Sequence, residues 1–314
     1  MQFRPLGQSD IEIAAIMLGG NVFGWSTDAA TSFKLLDAFV DAGFNAVDTA
    51  NSYSRWIPGH SGGESETVIG NWLKHSGKRD KVVIATKVGA DMGDGKSVRK
   101  DYILRQAEAS LKRLQTDCID LYQTHFDDEV TPVEETLSAY AQLIAQGKVR
   151  AIGASNISPI RLKASLAASA RGLPRYQSLQ PLYNLYDRAT FETDYEPICR
   201  AEKLGVISYY SLAAGFLTGK YRSAADAAKS NTRGGTVKKY LDARGMAILK
   251  TLDQVAAAHD ATPAQVSLAW LIARESVTAP IVSATDMKQL DDILKSARLA
   301  LSATDIGALD KASA

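Results

Sequence analysis

Four polar side chains stand at or just after the ends of separate apolar runs. Asp48 ends the run Ala-Val-Asp and Tyr53 lies five residues later, while Lys87 ends Ile-Ala-Thr-Lys and His125 ends Leu-Tyr-Gln-Thr-His. A carboxylate, a phenol, an ammonium group and an imidazole are the groups that protonate a carbonyl oxygen as hydride reaches its carbon. The spacing therefore raises the hypothesis of an oxidoreductase site, provided that the chain brings these runs together.

Each group has a definite task in such a reaction. A tyrosine with its usual pKa of about 10 holds its proton too tightly at neutral pH for the reverse step, and a nearby ammonium stabilises the phenolate and lowers that pKa. A neighbouring carboxylate keeps a desolvated ammonium charged. Tyr53 is the predicted proton donor, and Lys87 is predicted to lower its pKa. Asp48 is the predicted partner of Lys87, and His125 is the group that orients the carbonyl.

Taken singly, these residues have plainer explanations. A histidine at a strand end is more often structural than catalytic, and an Asp-Lys pair can simply close a layer inside a barrel. The convergence of four residue types from different runs favours the catalytic interpretation. It requires an architecture in which the carboxyl ends of the strands meet.

The sequence predicts that architecture through alternating strand and helix patterns. Apolar or β-branched runs predict eight strands, near Ala14–Gly19, Ala46–Ala50, Val82–Lys87, Cys118–His125, Val149–Ser155, Ser178–Asn184, Val206–Leu212 and Ala279–Ala284. Amphipathic patterns predict helices at Ala30–Ala42, Glu64–Lys74, Val98–Leu114, Pro132–Gln146, Pro159–Ala170, Glu196–Leu204 and across Met246–Arg274.

A β-α alternation of this length predicts parallel strands joined by right-handed crossovers. Eight units close most simply as an α/β fold of the (β/α)8 TIM barrel type, in which active sites lie at the carboxyl ends of the strands. Phe3–Leu6 and Ile11–Ala14 predict a short N-terminal β-hairpin that covers the bottom. An open doubly wound sheet is the alternative, weakened because no Gly-x-Gly-x-x-Gly follows the first strand. We expect residues 1–314 to form a single domain.

Composition excludes several classes of function. The chain has 314 residues and a formal net charge of +1, which gives no electrostatic footprint for nucleic acid or an anionic membrane. The two cysteines, Cys118 and Cys199, are far apart in apolar stretches and predict reduced core residues. Without an apolar signal segment at the N-terminus, a cytoplasmic location is expected.

With these motifs in view, the chain resembles the aldo-keto reductase superfamily over nearly its whole length. The matching stretches are Phe-Asn-Ala-Val-Asp48-Thr-Ala-Asn-Ser-Tyr53, Ile-Ala-Thr-Lys87, Ser-Leu-Lys-Arg-Leu-Gln-Thr-Asp-Cys-Ile-Asp-Leu-Tyr-Gln-Thr-His125, Gly-Ala-Ser155-Asn156, Gln180-Pro-Leu-Tyr-Asn-Leu-Tyr-Asp-Arg188 and Gly215-Phe-Leu-Thr-Gly-Lys220-Tyr. The resemblance implies an active NADP(H)-dependent reductase of aldehydes or ketones, with the whole catalytic tetrad present.

The resemblance also implies a cofactor site across the barrel mouth. Ser155, Asn156 and Gln180 match the residues that hold the nicotinamide carboxamide, although the first two could instead cap the helix that follows. Tyr209 matches the aromatic that stacks on the nicotinamide ring, with its neighbour Tyr210 as the alternative. The implied cofactor contacts further include Gly20, Asn21, Asp48, Ser211, Leu212, Ala213, Gly215 and Lys220, with Arg233 as an additional phosphate contact.

The adenosine end leaves the cofactor preference open. Ser283, Thr285, Gln289 and Asp292 match positions that hold the 2′-phosphoribose and adenine, but Gln289 stands where many members have arginine. A missing guanidinium removes a bidentate phosphate clamp. NADP(H) is favoured, with NAD(H) as the alternative.

The substrate side is predicted from tryptophans beside the proton donor. The loop after Tyr53 runs Ser-Arg-Trp56-Ile-Pro-Gly-His-Ser-Gly-Gly, and Trp25 follows the first strand. Both could wall an aromatic, uncharged substrate pocket together with Tyr53 and His125, or could only pack loops onto the rim. Arg55 is the one charge in this loop that would suit an acidic substrate.

Three rival functions remain less favoured. A metal-dependent barrel hydrolase needs clustered ligands, yet only His125 of the four histidines ends a strand, so no metal is expected. A regulatory subunit that binds NADP(H) would not need the complete tetrad. A short-chain reductase needs tyrosine and lysine four apart on one helix, whereas Tyr53 and Lys87 are 34 positions apart.

Overall fold

Strands of three to seven residues alternate with helices along most of the chain. The structure, a computed structural model, describes residues 3–228 and 233–314. Its strands are β1 (Phe3–Pro5), β2 (Glu12–Ala14), β3 (Met17–Gly19), β4 (Ala46–Asp48), β5 (Val83–Val88), β6 (Ile119–Thr124), β7 (Val149–Ser155), β8 (Tyr176–Gln180), β9 (Gly205–Ser208) and β10 (Ala279–Val282).

The helices pack around these strands. They are α1 (Ala29–Asp41), α2 (Glu64–Ser76), α3 (Lys100–Leu114), α4 (Val133–Ala145), α5 (Pro159–Ser169), α6 (Glu196–Ala201), α7 (Ala224–Ala228), α8 (Gly234–Val237), α9 (Ala243–Ala258), α10 (Pro263–Ile272), α11 (Met287–Ser296) and α12 (Ala303–Ser313). Short 3-10 helices lie at Arg79–Lys81, Ala213–Thr218 and Lys238–Tyr240, and a π-helix at Phe191–Tyr195 leads into α6.

Strands β3 to β10 close a parallel barrel. They pair in sequence order, and β10 returns to pair with β3. This confirms the predicted (β/α)8 barrel, and the open doubly wound sheet is wrong. Helices cover the outer faces, which explains the strands that are apolar on both sides.

The N-terminal hairpin covers the bottom of the barrel, as expected. β1 and β2 are antiparallel, and Leu6 joins a buried apolar cluster with residues of the barrel interior. The Arg4 guanidinium donates to the backbone oxygens of Val277 and Thr278. Gly7 has a φ of +65°, and a Cβ there would lie 2.1 Å from the backbone oxygen of Gln177. The hairpin therefore approaches the lower end of β8 so closely that only glycine fits.

Two differences from the predicted elements have local causes. The stretch Met246–Arg274 divides into α9 and α10, because Thr262 and Gln265 form a capping box in front of Pro263. The sixth predicted run, Ser178–Asn184, ends instead at Gln180, since Pro181 has no N–H to give to a strand ladder. Helices α11 and α12 were not predicted. Among helices of the described ranges, none combines the length and apolar character needed to cross a bilayer.

The period of two along a strand places polar residues above an apolar floor. Ala46, Ala85 and Leu121 belong to the apolar cluster inside the barrel. Two residues further along the same strands come Asp48, Lys87 and Gln123, all fully or almost fully buried. The strand pattern thus delivers charged and amide groups to the upper layer of the barrel.

Candidate active site

Lys87, Asp48 and Tyr53 form one hydrogen-bonded cluster at the barrel mouth. The Lys87 Nζ donates to Asp48 Oδ2 at 2.6 Å, to the Tyr53 hydroxyl oxygen at 2.7 Å and to the backbone oxygen of Thr49 at 2.8 Å. The Tyr53 hydroxyl in turn donates to Asp48 Oδ2 at 3.0 Å. The structure therefore brings together three groups that the sequence places in two strands and a loop.

His125 completes the group from the end of β6. Its ring centroid lies 5.9 Å from that of Tyr53, with the two planes at 76°. The Nδ1 of His125 is 3.4 Å from the Ser52 Oγ, and its backbone N–H donates to Val88. The imidazole thus faces the phenol edge-on.

Burial governs the protonation states of the cluster. Burial first, and then the Asp48 carboxylate, raise the pKa of Tyr53 well above its usual value of 10. Burial lowers the pKa of Lys87, while Asp48 acts in the opposite direction. Burial, and then Lys87, lower the pKa of His125 well below its usual 6.5. At neutral pH, Tyr53 is therefore protonated and His125 is neutral.

Two buried amides contact the other oxygen of Asp48. The Gln180 Nε2 donates to Asp48 Oδ1 at 3.0 Å and to the Gln123 Oε1 at 3.3 Å. The Gln123 Nε2 lies at the long distance of 3.5 Å from the same Oδ1. Sequence reasoning assigned Gln180 to the cofactor and missed Gln123. The sequence did contain a signal for Gln123, since it is a polar residue two positions after Leu121 and so lies on the same inward face of β6.

A second buried carboxylate lies behind Lys87. Glu66 of α2 is 0% exposed, accepts from the Thr86 Oγ1 at 2.5 Å and pairs with the Arg113 Nε at 2.6 Å. Its charge also opposes the lowering of the Lys87 pKa by burial. A Cβ on Gly63 would lie 2.5 Å from the Arg113 Nε, so glycine is required for Arg113 to reach Glu66. Sequence reasoning missed this pair, because its residues come from separate helices.

Asn156 connects two other predicted cofactor residues with His125 at the rim. Its Nδ2 donates to the His125 backbone oxygen at 2.8 Å and to the Ser155 Oγ at 3.1 Å, while its Oδ1 accepts from the Tyr209 hydroxyl at 3.1 Å. The alternative in which Ser155 and Asn156 cap the next helix is wrong. Ser158 caps α5 instead, accepting from the Arg161 N–H.

The two adjacent tyrosines have different surroundings. Tyr209 bonds to Asn156 and is close enough to Tyr53 to affect its pKa. Tyr210 is 47% exposed, has a φ of +55°, and contacts the Tyr209 ring edge-on at 5.7 Å. Tyr209 is thus the one turned toward the catalytic cluster.

The predicted pyrophosphate segment has an unusual backbone. Ala213, Ala214 and Gly215 all have φ between 48° and 90°. Such left-handed conformations are sparsely populated by residues other than glycine, and the N–H groups of Ala213 and Gly215 are already hydrogen-bonded within the turn. A Cβ on Gly215 would lie 3.5 Å from the Lys220 Nζ, so this cation lies over the segment.

The remaining residues of this predicted segment flank that turn. The Ser211 Oγ donates to the Ser208 backbone oxygen, Leu212 precedes the left-handed run, and Arg233 lies at the start of α8. Ser211 and Leu212 thus lead directly into the turn, while Arg233 comes from a later segment of the chain.

Two loops meet above the neighbouring strands β3 and β10. Asn21 and Ser283 are hydrogen-bonded through the Asn21 Oδ1 and the Ser283 Oγ. The Gly20 N–H donates to the Asp48 backbone oxygen at 2.7 Å. The predicted contacts after β3 and after β10 are therefore adjacent, although they lie at opposite ends of the chain.

Three of the predicted adenosine residues, Thr285, Gln289 and Asp292, are hydrogen-bonded to neighbouring side chains. The Gln289 Nε2 donates to Thr285 at 2.9 Å and to Asp286 at 2.7 Å, and Asp286 caps α11 by accepting the Gln289 backbone N–H. Asp292 accepts from Gln265 of α10 at 2.9 Å. Asp286 thus places a carboxylate at the start of α11.

Aromatic rings form a continuous wall beside Tyr53. Trp56 contacts Tyr53 edge-on at 6.1 Å and Trp25 at 5.9 Å. Phe126 lies against His125 at 4.6 Å. Trp56 is 53% exposed. Trp56 therefore stands next to the catalytic cluster, and Trp25 packs against Trp56. Over the part of the chain that the structure describes, no group of three or more His, Cys, Asp or Glu side chains is arranged to hold a metal ion.

The fold agrees with what comparison with known proteins finds. The family model of the aldo/keto reductase family matches residues 15–314. The chain is 35% identical over 311 residues to the uncharacterized oxidoreductase YrpG of Bacillus subtilis (strain 168), covering 96% of this chain and 92% of the relative. Protein tas of Escherichia coli (strain K12) is 32% identical over 328 residues, with coverage of 96% and 94%. The chain belongs to the aldo/keto reductase family.

A further relative has a named substrate. The L-glyceraldehyde 3-phosphate reductase of Escherichia coli (strain K12) is 30% identical over 305 residues, covering 93% of this chain and 86% of that protein. Membership of the family implies an oxidoreductase that reduces small carbonyl compounds with a nicotinamide cofactor.

Proposed function

We propose that the protein reduces an aldehyde or ketone to its alcohol, or runs the reverse reaction, with Tyr53 as the proton donor. The observation that carries this proposal is the cluster in which the Lys87 Nζ contacts both the Tyr53 hydroxyl oxygen and Asp48 within 2.7 Å. A phenol that must release a proton needs a cation at this distance, because the cation stabilises the phenolate. A lysine that was buried only for structural reasons would not require a phenol beside it.

The roles follow from the contacts. Tyr53 holds its proton at neutral pH and shares it with Asp48. When a carbonyl oxygen enters between Tyr53 and His125, the hydroxyl turns toward it and gives up the proton. Lys87 then stabilises the phenolate, and Asp48 balances the charge of Lys87. The neutral His125 orients the carbonyl by hydrogen bonding, without competing for the role of acid.

The residues around the mouth suit a nicotinamide dinucleotide. When bound, this cofactor supplies the hydride. At the rim, the Tyr209 phenol and the Asn156 amide would contact the nicotinamide end of the cofactor. Lys220, which lies over the left-handed turn at Ala213–Gly215, offers a positive charge that suits a pyrophosphate.

We propose NADP(H) as the cofactor, as the resemblance implies. NAD(H) is the second candidate and is favoured by Asp286, because a 2′-phosphate near the start of α11 would meet its carboxylate. The Gln289 amide also donates to Asp286 already. Comparing kcat/KM for NADPH and NADH decides between the two cofactors.

An Asp286→Asn variant separates the charge of this residue from its capping role, because asparagine also caps helices well. If Asp286 disfavours the 2′-phosphate, the variant shifts the preference toward NADPH. Asp291→Asn, on the same helix and paired with Lys295, is the matched control.

The substrate pocket is proposed to lie against the wall formed by Trp25, Trp56, Tyr53 and His125. Flat apolar carbonyl compounds fit such a wall, because aromatic pairs gain from edge-on and stacked contacts. The physiological carbonyl is best sought with a panel that includes aromatic, aliphatic and phosphorylated aldehydes, run in both directions.

The test of the proposed function is Tyr53→Phe. The variant is expected to lose reduction by about 100-fold or more, since positioned acids contribute about 10²–10⁴-fold. Binding of NADPH, measured by protein fluorescence, should persist because the variant loses only the hydroxyl group. Full turnover in Tyr53→Phe, or no turnover of any carbonyl by the unaltered protein, would refute the proposal.

A further inference from the structure

Gln123 occupies a position that the catalytic roles above do not use. It is 0% exposed inside the barrel, next to Gln180, which is 2% exposed. Its Oε1 accepts from the Gln180 Nε2 at 3.3 Å, and its own Nε2 lies 3.5 Å from Asp48 Oδ1. The second distance is long for a hydrogen bond. Most of the influence of Gln123 on Asp48 must therefore pass through Gln180.

The chemistry of the amides fixes their orientation. An amide oxygen placed 3.0 Å from a carboxylate oxygen would be repelled, so Gln180 must turn its NH2 toward Asp48. That NH2 has two hydrogens. One goes to Asp48 Oδ1, and the other goes to the Gln123 Oε1. Gln123 thus provides the second acceptor that holds the Gln180 amide in place.

The orientation of Asp48 matters because its two oxygens have different partners. Oδ2 receives both Lys87 and Tyr53, while Oδ1 receives the amides. A carboxylate held at Oδ1 cannot rotate, so Oδ2 stays fixed opposite the catalytic pair. Without that anchor, Asp48 can turn and offer its charge differently to Lys87 and Tyr53.

We propose that Gln123 is a positioning residue that acts through Gln180 to fix the Asp48 carboxylate, and thereby sets how Tyr53 holds its proton. This inference rests on the proposed role of Tyr53. The titratable groups around Tyr53 are Asp48, Lys87, His125 and Tyr209. Among them, Asp48 is the one that the amides contact.

The principal variant is Gln123→Met, which nearly keeps the side-chain volume and removes the amide. A hydrogen bond to a charged group corresponds to roughly a ten- to hundredfold effect. We expect kcat and kcat/KM to fall together by about tenfold or more. The upper limb of the pH profile of alcohol oxidation should move to higher pH, because the Gln180 amide loses its second acceptor and no longer holds Asp48 Oδ1 in place, so Asp48 holds the Tyr53 proton more firmly.

The matched control is Leu121→Met, two residues earlier on the same inward face of β6 and free of polar groups. It should leave kcat and the pH profile unchanged. The proposal would be overturned if Gln123→Met lowered kcat without moving the pH profile, or if the control lowered kcat equally. Either result would assign the loss to disturbed packing of the barrel interior.

A second variant, Gln123→Glu, keeps the shape and covers the case in which the methionine variant does not fold. When protonated, the glutamic acid accepts from Gln180 and can donate to Asp48. When ionised, it repels Asp48. Activity should approach that of the unaltered protein at low pH and fall as pH rises. A pH profile parallel to the unaltered one contradicts the inference.

A measurement without turnover keeps this inference separate from the proposed function. The denaturation midpoints of Gln123→Met, Asp48→Asn and the double variant form a thermodynamic cycle. Non-additive shifts are expected if the amide network holds Asp48, and additive shifts refute the coupling. If the unaltered protein reduces no carbonyl, the proposed function fails, and this cycle still decides the role of Gln123.

Discussion

Replacing Lys87 by methionine tests the electrostatics of the buried cluster directly. The substitution removes three hydrogen bonds, to Asp48, Thr49 and Tyr53. It leaves the Asp48 carboxylate 1% exposed, with neutral donors from Tyr53 and Gln180 but without its cation. Methionine nearly preserves the volume, so any loss of stability reports the uncompensated charge rather than a cavity.

The expected loss of unfolding free energy can be estimated, and it has an upper limit. Removing one partner of a buried ion pair costs about 3–5 kcal/mol of unfolding free energy. The variant can limit this loss by taking up a proton. A carboxyl group with the ordinary pKa of about 3.9 costs about 4 kcal/mol to protonate at pH 7 and about 1.5 kcal/mol at pH 5. The loss should therefore be about 3–4 kcal/mol at pH 7 and clearly smaller at pH 5.

A double variant separates the charge from the packing. Asp48→Asn combined with Lys87→Met removes both charges and leaves a neutral amide among the same donors and acceptors. Because neutral replacements of a buried pair are often tolerated, the double variant should return to within about 2 kcal/mol of the unaltered protein. Both variants should still lack carbonyl reduction, since neither has a cation to stabilise the phenolate.

Urea unfolding followed by tryptophan fluorescence measures these differences, with refolding checked at each pH. A loss below about 1 kcal/mol at pH 7 would refute the reasoning. An equal loss at pH 5 and pH 7 would also refute it, because the uncompensated group would then not be a carboxylate.

Three further predictions concern residues around this cluster. The pKa of His125 is lowered in the folded protein, so below pH about 6.5 only the unfolded chain takes up this proton. The free energy of unfolding should therefore fall by up to ~1.4 kcal/mol for each pH unit below that value. His125→Gln should reduce this pH dependence in urea titrations. Trp56→Ala should change the relative kcat/KM of aromatic and aliphatic aldehydes while leaving the Kd of the cofactor unchanged; if neither quantity moves, or if the Kd does, the wall is not the pocket. Arg113→Met leaves Glu66 buried without its cation and should cost about 3–5 kcal/mol in chemical denaturation; adding Glu66→Gln should recover most of it, and a failure to recover would assign the loss to packing.

Local sequence patterns were sufficient to predict the eight strands of the barrel and most of its helices. The run Val149–Ser155 was predicted with the bounds that the structure has. Asp48 and Lys87 were predicted at strand ends because the polar residue that interrupts an apolar run is visible in the sequence itself. Strand period, helix period and capping residues are short-range properties, so one sequence is enough to read them.

Tertiary structure alone decided which groups meet. Gln123 and Gln180 are 57 positions apart, and Glu66 and Arg113 are 47 apart, yet each pair is in contact. Such contacts depend on the stagger of strands around a closed barrel and on how helices lie over it, which no local pattern records. The sequence by itself determined the residue types at the mouth. The closure of the barrel decided their partners, and with them the protonation states on which the proposed chemistry depends.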